Sequence, residues 1–114
     1  AIEGDVQQFP RGFIRSYTQA PARDLFFARG IGDSMMPTLL DSDTLLIDRS
    51  HTELGMNDKI WAIAMEDVGA IKRLRRLPGG GLQILSDNSN IPPQLAGEDE
   101  VHIIGQVVAY IRKV

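Results

Sequence analysis

The sequence contains no cysteine, so neither a disulfide framework nor thiolate chemistry is open to it. That absence fits a reducing compartment, and the chain is expected in the cytoplasm. No apolar run approaches the roughly 20 residues that a membrane-spanning helix needs. The longest, Ile60–Met65, has the length of a core strand, so no membrane partner is expected. The start, Ala1-Ile2-Glu3-Gly4-Asp5, lacks the basic and apolar regions of an export signal. Because that start is not Met, the chain reads as a piece of a longer protein. Basic residues are also sparse as a surface. The net charge is −3, and Arg73, Arg75 and Arg76 form the one basic cluster. A domain that grips DNA by itself carries a stronger basic footprint, so contact with DNA is expected only through a segment outside this sequence.

Ligand-bearing patterns are scarce as well. His51 and His102 are the two histidines; they are far apart, and no zinc set can be built from them. Neither stands beside an orienting carboxylate in sequence, which argues against a serine–histidine–aspartate triad. Asp41, Asp43 and Asp48 lack the glycine and terminal glutamate of a calcium loop, and read as a solvated acidic turn. Gly79-Gly80-Gly81 is followed by no Lys-Ser/Thr and no helix, so it is a hairpin tip and no phosphate loop. Trp61 reads as a core anchor among apolar neighbours. Neither a metal nor a cofactor is expected.

What is present is enough for one packed domain. The 114 residues are 43% hydrophobic and 24% charged, which suits a single core without staples. Most of the chain reads as short β-rich runs between turns: 26–31, 44–48, 60–65, 70–77, 82–85 and 101–111. Pro78-Gly79-Gly80-Gly81 joins two of these runs as a hairpin, and the last run, broken by Gly105, is expected to close the sheet. Helical periodicity is weak; 11–25 has room for a turn or short helix. The expectation is a mainly β single domain, with residues 1–12 as a linker or arm and 13–114 as the folded unit.

Two segments carry chemistry. In Gly32-Asp33-Ser34-Met35-Met36-Pro37-Thr38-Leu39, Gly32 permits a sharp approach and Pro37 fixes the backbone downstream. A serine becomes a nucleophile only on such a rigid turn with a base beside it. The amides of Ser34 and Met35 are then candidate donors to an oxyanion, and the side chains of Met35 and Met36 would keep water away. The second segment is Ala70-Ile71-Lys72-Arg73-Leu74. Strand alternation puts Lys72 on the face of Ala70 and Leu74. Burial there disfavours the ammonium form, and only a neutral lysine accepts a proton. Read singly, each segment is also compatible with a capped turn and a solvated strand lysine.

Taken in order, the segments resemble the LexA/UmuD/phage-repressor serine–lysine peptidases. The resemblance rests on the Gly32–Leu39 segment, Leu45-Leu46-Ile47-Asp48, Ile71-Lys72-Arg73-Leu74, Leu85-Ser86-Asp87-Asn88 and Ile104-Gly105-Gln106-Val107-Val108. It runs from about residue 28 to the C-terminus. It implies a LexA-like β-clip or barrel-like catalytic fold with Ser34 as nucleophile, Lys72 as general base, and Ser34 and Met35 amides at the oxyanion. It further implies the C-terminal domain of a helix-turn-helix repressor of prophage or SOS type, which dimerises (or forms a higher oligomer) and cleaves its own chain upstream. Its partners would be a second copy, its own DNA-binding domain and cleavage segment, and an activated recombinase filament.

Three departures bear on this. Ser42-Asp43 stands where the family has Gly-Asp, and Ile91 stands where a tyrosine is common. Between Ala1 and Asp33 there is no Ala-Gly or Cys-Gly of the kind the family cleaves; the one Ala-Gly, Ala96-Gly97, lies beyond Lys72. The alternatives are therefore a non-cleaving oligomerisation domain, or a signal-peptidase-like protease, whose serine box is similar to Ser34–Leu39.

Overall fold

The computed structural model describes residues 3–5, 18–55 and 58–114. Eight strands form one antiparallel sheet: β1 (Glu3–Asp5), β2 (Leu25–Arg29), β3 (Thr44–Asp48), β4 (Ile60–Met65), β5 (Val68–Arg76), β6 (Leu82–Leu85), β7 (Gln94–Ala96) and β8 (His102–Ile111). Their spatial order is β1-β2-β3-β8-β4-β5-β6-β7. Two 3-10 turns, Ala22–Asp24 and Glu98–Glu100, are the helical elements among the described residues. The mainly β single domain expected from the sequence is what is found. Of the stretch 11–25, where a turn or short helix is expected, residues 18–25 are described and hold the 3-10 turn Ala22–Asp24; residues 11–17 lie outside the described residues.

The sequence pattern explains the sheet. β3 and β4 are almost continuously apolar, as strands covered on both sides must be. Their side chains divide between two cores. One gathers Ala28, Ile31, Met35, Leu39, Leu45, Ile47, Ala62 and Ile71. The other gathers Trp61, Ile63, Leu74, Leu82, Ile84 and Val101. Thus β5 feeds Ile71 into the first core and Leu74 into the second, which only a strand packed on both faces can do.

The last strand differs from expectation. Instead of closing the sheet, β8 runs through its middle. Residues 102–106 pair with β4 and residues 106–111 with β3, so Gln106 lies opposite both Trp61 and Asp48. Gly105 makes the change of partner possible, because a Cβ there would sit 2.6 Å from the Asp48 carbonyl oxygen. Strand limits also differ from the expected runs: β2 stops at Arg29 before Gly30 (φ 71°), β5 starts at Val68, and a short extra strand, β7, borders β6. Glu3–Asp5, within the stretch read as linker or arm, lies as a strand along β2.

Candidate active site

Ser34 stands on the turn that links β2 to β3. Gly32 reaches it with φ 77°, a conformation that costs a glycine little. Two backbone bonds wind the turn, Met36 N to Asp33 O (3.2 Å) and Leu39 N to Met35 O (2.9 Å). The side chains of Met35 and Leu39, 1% and 2% exposed, anchor it in the first core. Here the expectation for the two methionines fails: Met35 is a core residue, and Met36 is 42% exposed. Alternation along the turn decides it, since only one of two adjacent side chains points inward.

Polar contacts from distant residues hold the same turn. Asp41 accepts from the Gly32 amide (2.7 Å). Asn88 donates its backbone N–H to the Ser34 carbonyl (3.0 Å) and its side-chain amide to the Asp33 carbonyl (3.1 Å). The Thr38 hydroxyl donates to Asp87. Asp43, fully buried, accepts from the Leu40 amide (2.8 Å) and from Arg112 through two bonds of 2.7 Å. The Arg112 guanidinium beside Asp43 holds its carboxyl below the usual range, outweighing the opposing effect of burial. The acidic turn read as solvated is therefore partly interior. The amides of Ser34 and Met35 make no hydrogen bond to any described residue, which leaves them available to an incoming oxygen.

Lys72 lies opposite Trp61 in the β4–β5 ladder, on the face of Ala70 and Leu74. It is half-buried, and desolvation pushes its ammonium below the ordinary lysine range. Ser34 and Lys72 line one cavity of about 260 Å³, together with Gly30, Gly32, Asp41 and Gly69–Ile71. A larger hollow of about 540 Å³, between Asp58–Ile60, Arg73 and Gln106–Val108, contains neither. The cavity follows the part of β5 that has no partner on one side among the described strands: β6 pairs with Arg73–Arg76 and stops short of 68–72.

The hydroxyl bonded to the Lys72 amine belongs not to Ser34 but to Ser86, which is outside the lining of this cavity. Lys72 Nζ donates to Ser86 Oγ at 2.7 Å, and no hydrogen bond joins Lys72 to Ser34. Asp87, next along, accepts from Arg73 Nε (2.7 Å) and Nη2 (3.1 Å), and that guanidinium lowers the Asp87 carboxyl below its usual range. Ser86, Asp87 and Asn88 thus touch, in succession, the lysine, its neighbouring arginine and the serine turn. In sequence this tripeptide stands out by its resemblance alone and carries no evident task. Its run of three hydrogen-bonding side chains directly after a strand was the available signal. Ala96–Gly97 lies at the far side of β6 against Leu82 and Gly81, away from the cavity. His51, which reads in sequence as lacking a carboxylate, lies near Asp48, but that carboxylate bonds Ser50 and Thr18.

Residues 4–108 match the Peptidase S24-like family, and the chain belongs to it. It is 37% identical over 79 residues to the repressor protein CI of Enterobacteria phage phi80, covering 69% of this chain and 33% of that one. An uncharacterized HTH-type transcriptional regulator of Haemophilus influenzae is 35% identical over 81 residues, covering 68% and 33%. The HTH-type transcriptional regulator PrtR of Pseudomonas aeruginosa is 30% identical over 87 residues, covering 76% and 33%. The chain therefore spans about a third of the length of these relatives.

Proposed function

We propose that this chain is the C-terminal domain of a cytoplasmic helix-turn-helix repressor, that it pairs with a second copy, and that its Ser34–Lys72 dyad cleaves the same polypeptide upstream. Residues 1–12 then serve as the arm leading from the cleavage segment, and 13–114 as the catalytic and pairing unit. The repressor-type relatives support the setting. The observation that carries the chemistry is the shared cavity, in which a desolvated lysine and a turn serine face the same small space beside two unpaired amides.

In this reading the segment to be cut lies extended along 68–72 of β5, on the side away from β4 that no described strand occupies. Neutral Lys72 removes the proton from Ser34 Oγ as that oxygen attacks the scissile carbonyl. The resulting oxyanion accepts from the Ser34 and Met35 amides. Collapse breaks the C–N bond, and the leaving amine takes the proton back from Lys72. Water then releases the ester, with Lys72 accepting its proton and Ser34 recovering its own. DNA is met only through the upstream domain, and an activated recombinase filament would act by favouring the docked segment.

The intact protein, incubated at rising pH, should split into two fragments faster as Lys72 deprotonates. Ser34→Ala and Lys72→Ala should each remove at least about a thousandfold of that rate, since the pair acts as a unit. Fragmentation unchanged in either variant contradicts the dyad.

One observation favours a second reading, a pairing domain that does not cut. The Lys72 amine is bonded to Ser86 and makes no hydrogen bond to Ser34. Stable intact protein at alkaline pH, with dimers in sedimentation, would select it; a strictly monomeric domain at high concentration counts against pairing in either reading. The signal-peptidase alternative has less support, since the family match is to Peptidase S24-like proteins.

A further inference from the structure

The reaction above leaves Ser86 without a role, yet its hydroxyl is the group that the Lys72 amine touches. Its position is fixed from two sides. Arg73 pairs with Leu85 in the β5–β6 ladder, so Ser86 follows one step beyond the last pair and comes level with Lys72. On its other side, Asp87 is tied to Arg73 and to Thr38, and the Asn88 amide is tied to the Ser34 carbonyl. The hydroxyl thus stands on a short rigid span between the strand that carries Lys72 and the turn that carries Ser34. It is absent from the lining of the cavity that Ser34 and Lys72 share.

We propose that Ser86 is the positioning residue for Lys72, its hydroxyl accepting one amine N–H so that the nitrogen lone pair is turned toward Ser34. This rests on the Ser34–Lys72 reading. A lysine side chain has four rotatable bonds, and a base must hold its lone pair within hydrogen-bond reach of the proton it removes. A neutral amine has two N–H groups and one lone pair. Fixing one N–H on Ser86 removes most of the freedom about the last bond and leaves the lone pair unblocked. The same bond is stronger to the ammonium than to the amine, so it opposes part of the effect of burial on Lys72. Of the charged groups on the packed elements, Asp41 lines the same cavity as Lys72, and the Arg73–Asp87 pair occupies the residues next to Lys72 and Ser86; Trp61, opposite on β4, carries no charge.

The test uses the intact protein and its Ser86→Ala, Ser86→Thr and Ser86→Val variants. Fragmentation rates are followed against pH, and the Lys72 ε-methylene is titrated by NMR. Ser86→Ala should cut about tenfold or more slowly on the alkaline plateau, where Lys72 is neutral in both proteins, as expected for a misdirected base. Its midpoints, kinetic and NMR, should both move to lower pH, because the ammonium loses its acceptor. Ser86→Thr should stay within about threefold of the natural rate, while Ser86→Val, the same shape without a hydroxyl, should fall with Ser86→Ala. If Ser86→Ala does not fold, the threonine–valine pair decides by itself. Unchanged or faster cutting in Ser86→Ala on that plateau, an unmoved NMR midpoint, or equal rates for threonine and valine would each overturn the proposal. Natural protein that does not fragment, or fragments equally as Ser34→Ala, breaks the dyad reading instead. In that case the NMR midpoint still judges the Ser86–Lys72 contact.

Discussion

Lys72 is carried by a nine-residue strand wedged between two apolar cores, whereas Ser34 rides on a turn that distant polar groups tie down. The strand places its lysine by ladder register and by the burial of Ile71 and Leu74 on opposite faces. The turn has two apolar anchors, Met35 and Leu39, and otherwise depends on Asp41, Asp43, Asp87, Asn88 and Arg112. The difference predicts that stability and reaction rate respond to different residues. Core truncations on the base side should cost stability, while polar truncations around the turn should cost rate out of proportion to stability.

The largest stability effect is expected at Ile71. Ile71→Ala removes a side chain that is 1% exposed and should lower the unfolding free energy by about 2–5 kcal/mol, measured by urea denaturation. Asp43→Ala comes next. It strips the Leu40 amide and Arg112 of a buried acceptor and should cost about 1.5–3 kcal/mol, with the Ser34 turn loosened in hydrogen exchange. Asn88→Ala should cost only about 1 kcal/mol yet slow fragmentation by at least about tenfold, because it frees the Asp33 carbonyl next to Ser34 and leaves only the backbone bond from residue 88 to hold the turn. If Asn88→Ala lowers rate no more than an equally destabilising core variant, the proposed division of labour fails.

Acidity should act through the turn as well. Asp43 and Asp87 have carboxyls lowered below the usual range by Arg112 and Arg73 respectively. Between those lowered values and the unfolded carboxylate value of about 3.9, the unfolded chain binds more protons than the folded one. Their contribution is therefore complete above about pH 4 and is lost as the pH falls through the lowered values. Urea midpoints measured down the acid limb should fall less steeply in Asp43→Asn than in the natural protein. The smallest effect is expected at Trp61, whose Nε1 is buried without a partner among the described residues. Trp61→Phe keeps an aromatic ring and removes the orphan donor, so its stability should stay within about 1 kcal/mol.

The same contrast explains what could be read from the sequence. The runs at 44–48 and 60–65 are contiguous and β-branched or apolar, so their strands were visible locally, as was the face of Lys72. The Ser34 turn was visible as Gly32-Asp33-Ser34, but the residues that hold it come from other parts of the chain. Asn88 and Arg112 reach it through folding, and nothing local in either segment announces the partner. The inward Met35 and outward Met36 were illegible for the same reason, because adjacent apolar residues carry no direction until the core exists. The partner switch of β8 also depends on a tertiary contact, the approach of Asp48 to Gly105, which a lone glycine in an apolar run leaves unstated. Ser86 became meaningful only when the β5–β6 register brought it level with Lys72.

Which hydroxyl reacts is the most direct question to put to the protein, since Ser34 shares the cavity with Lys72 while Ser86 holds its amine. Treatment with an aryl fluorophosphonate, followed by peptide mass spectrometry, answers it without knowledge of the natural cleavage bond. The adduct should fall on Ser34, grow with rising pH and vanish in Lys72→Ala. An adduct on Ser86, or one on Ser34 that persists in Lys72→Ala, would contradict the account.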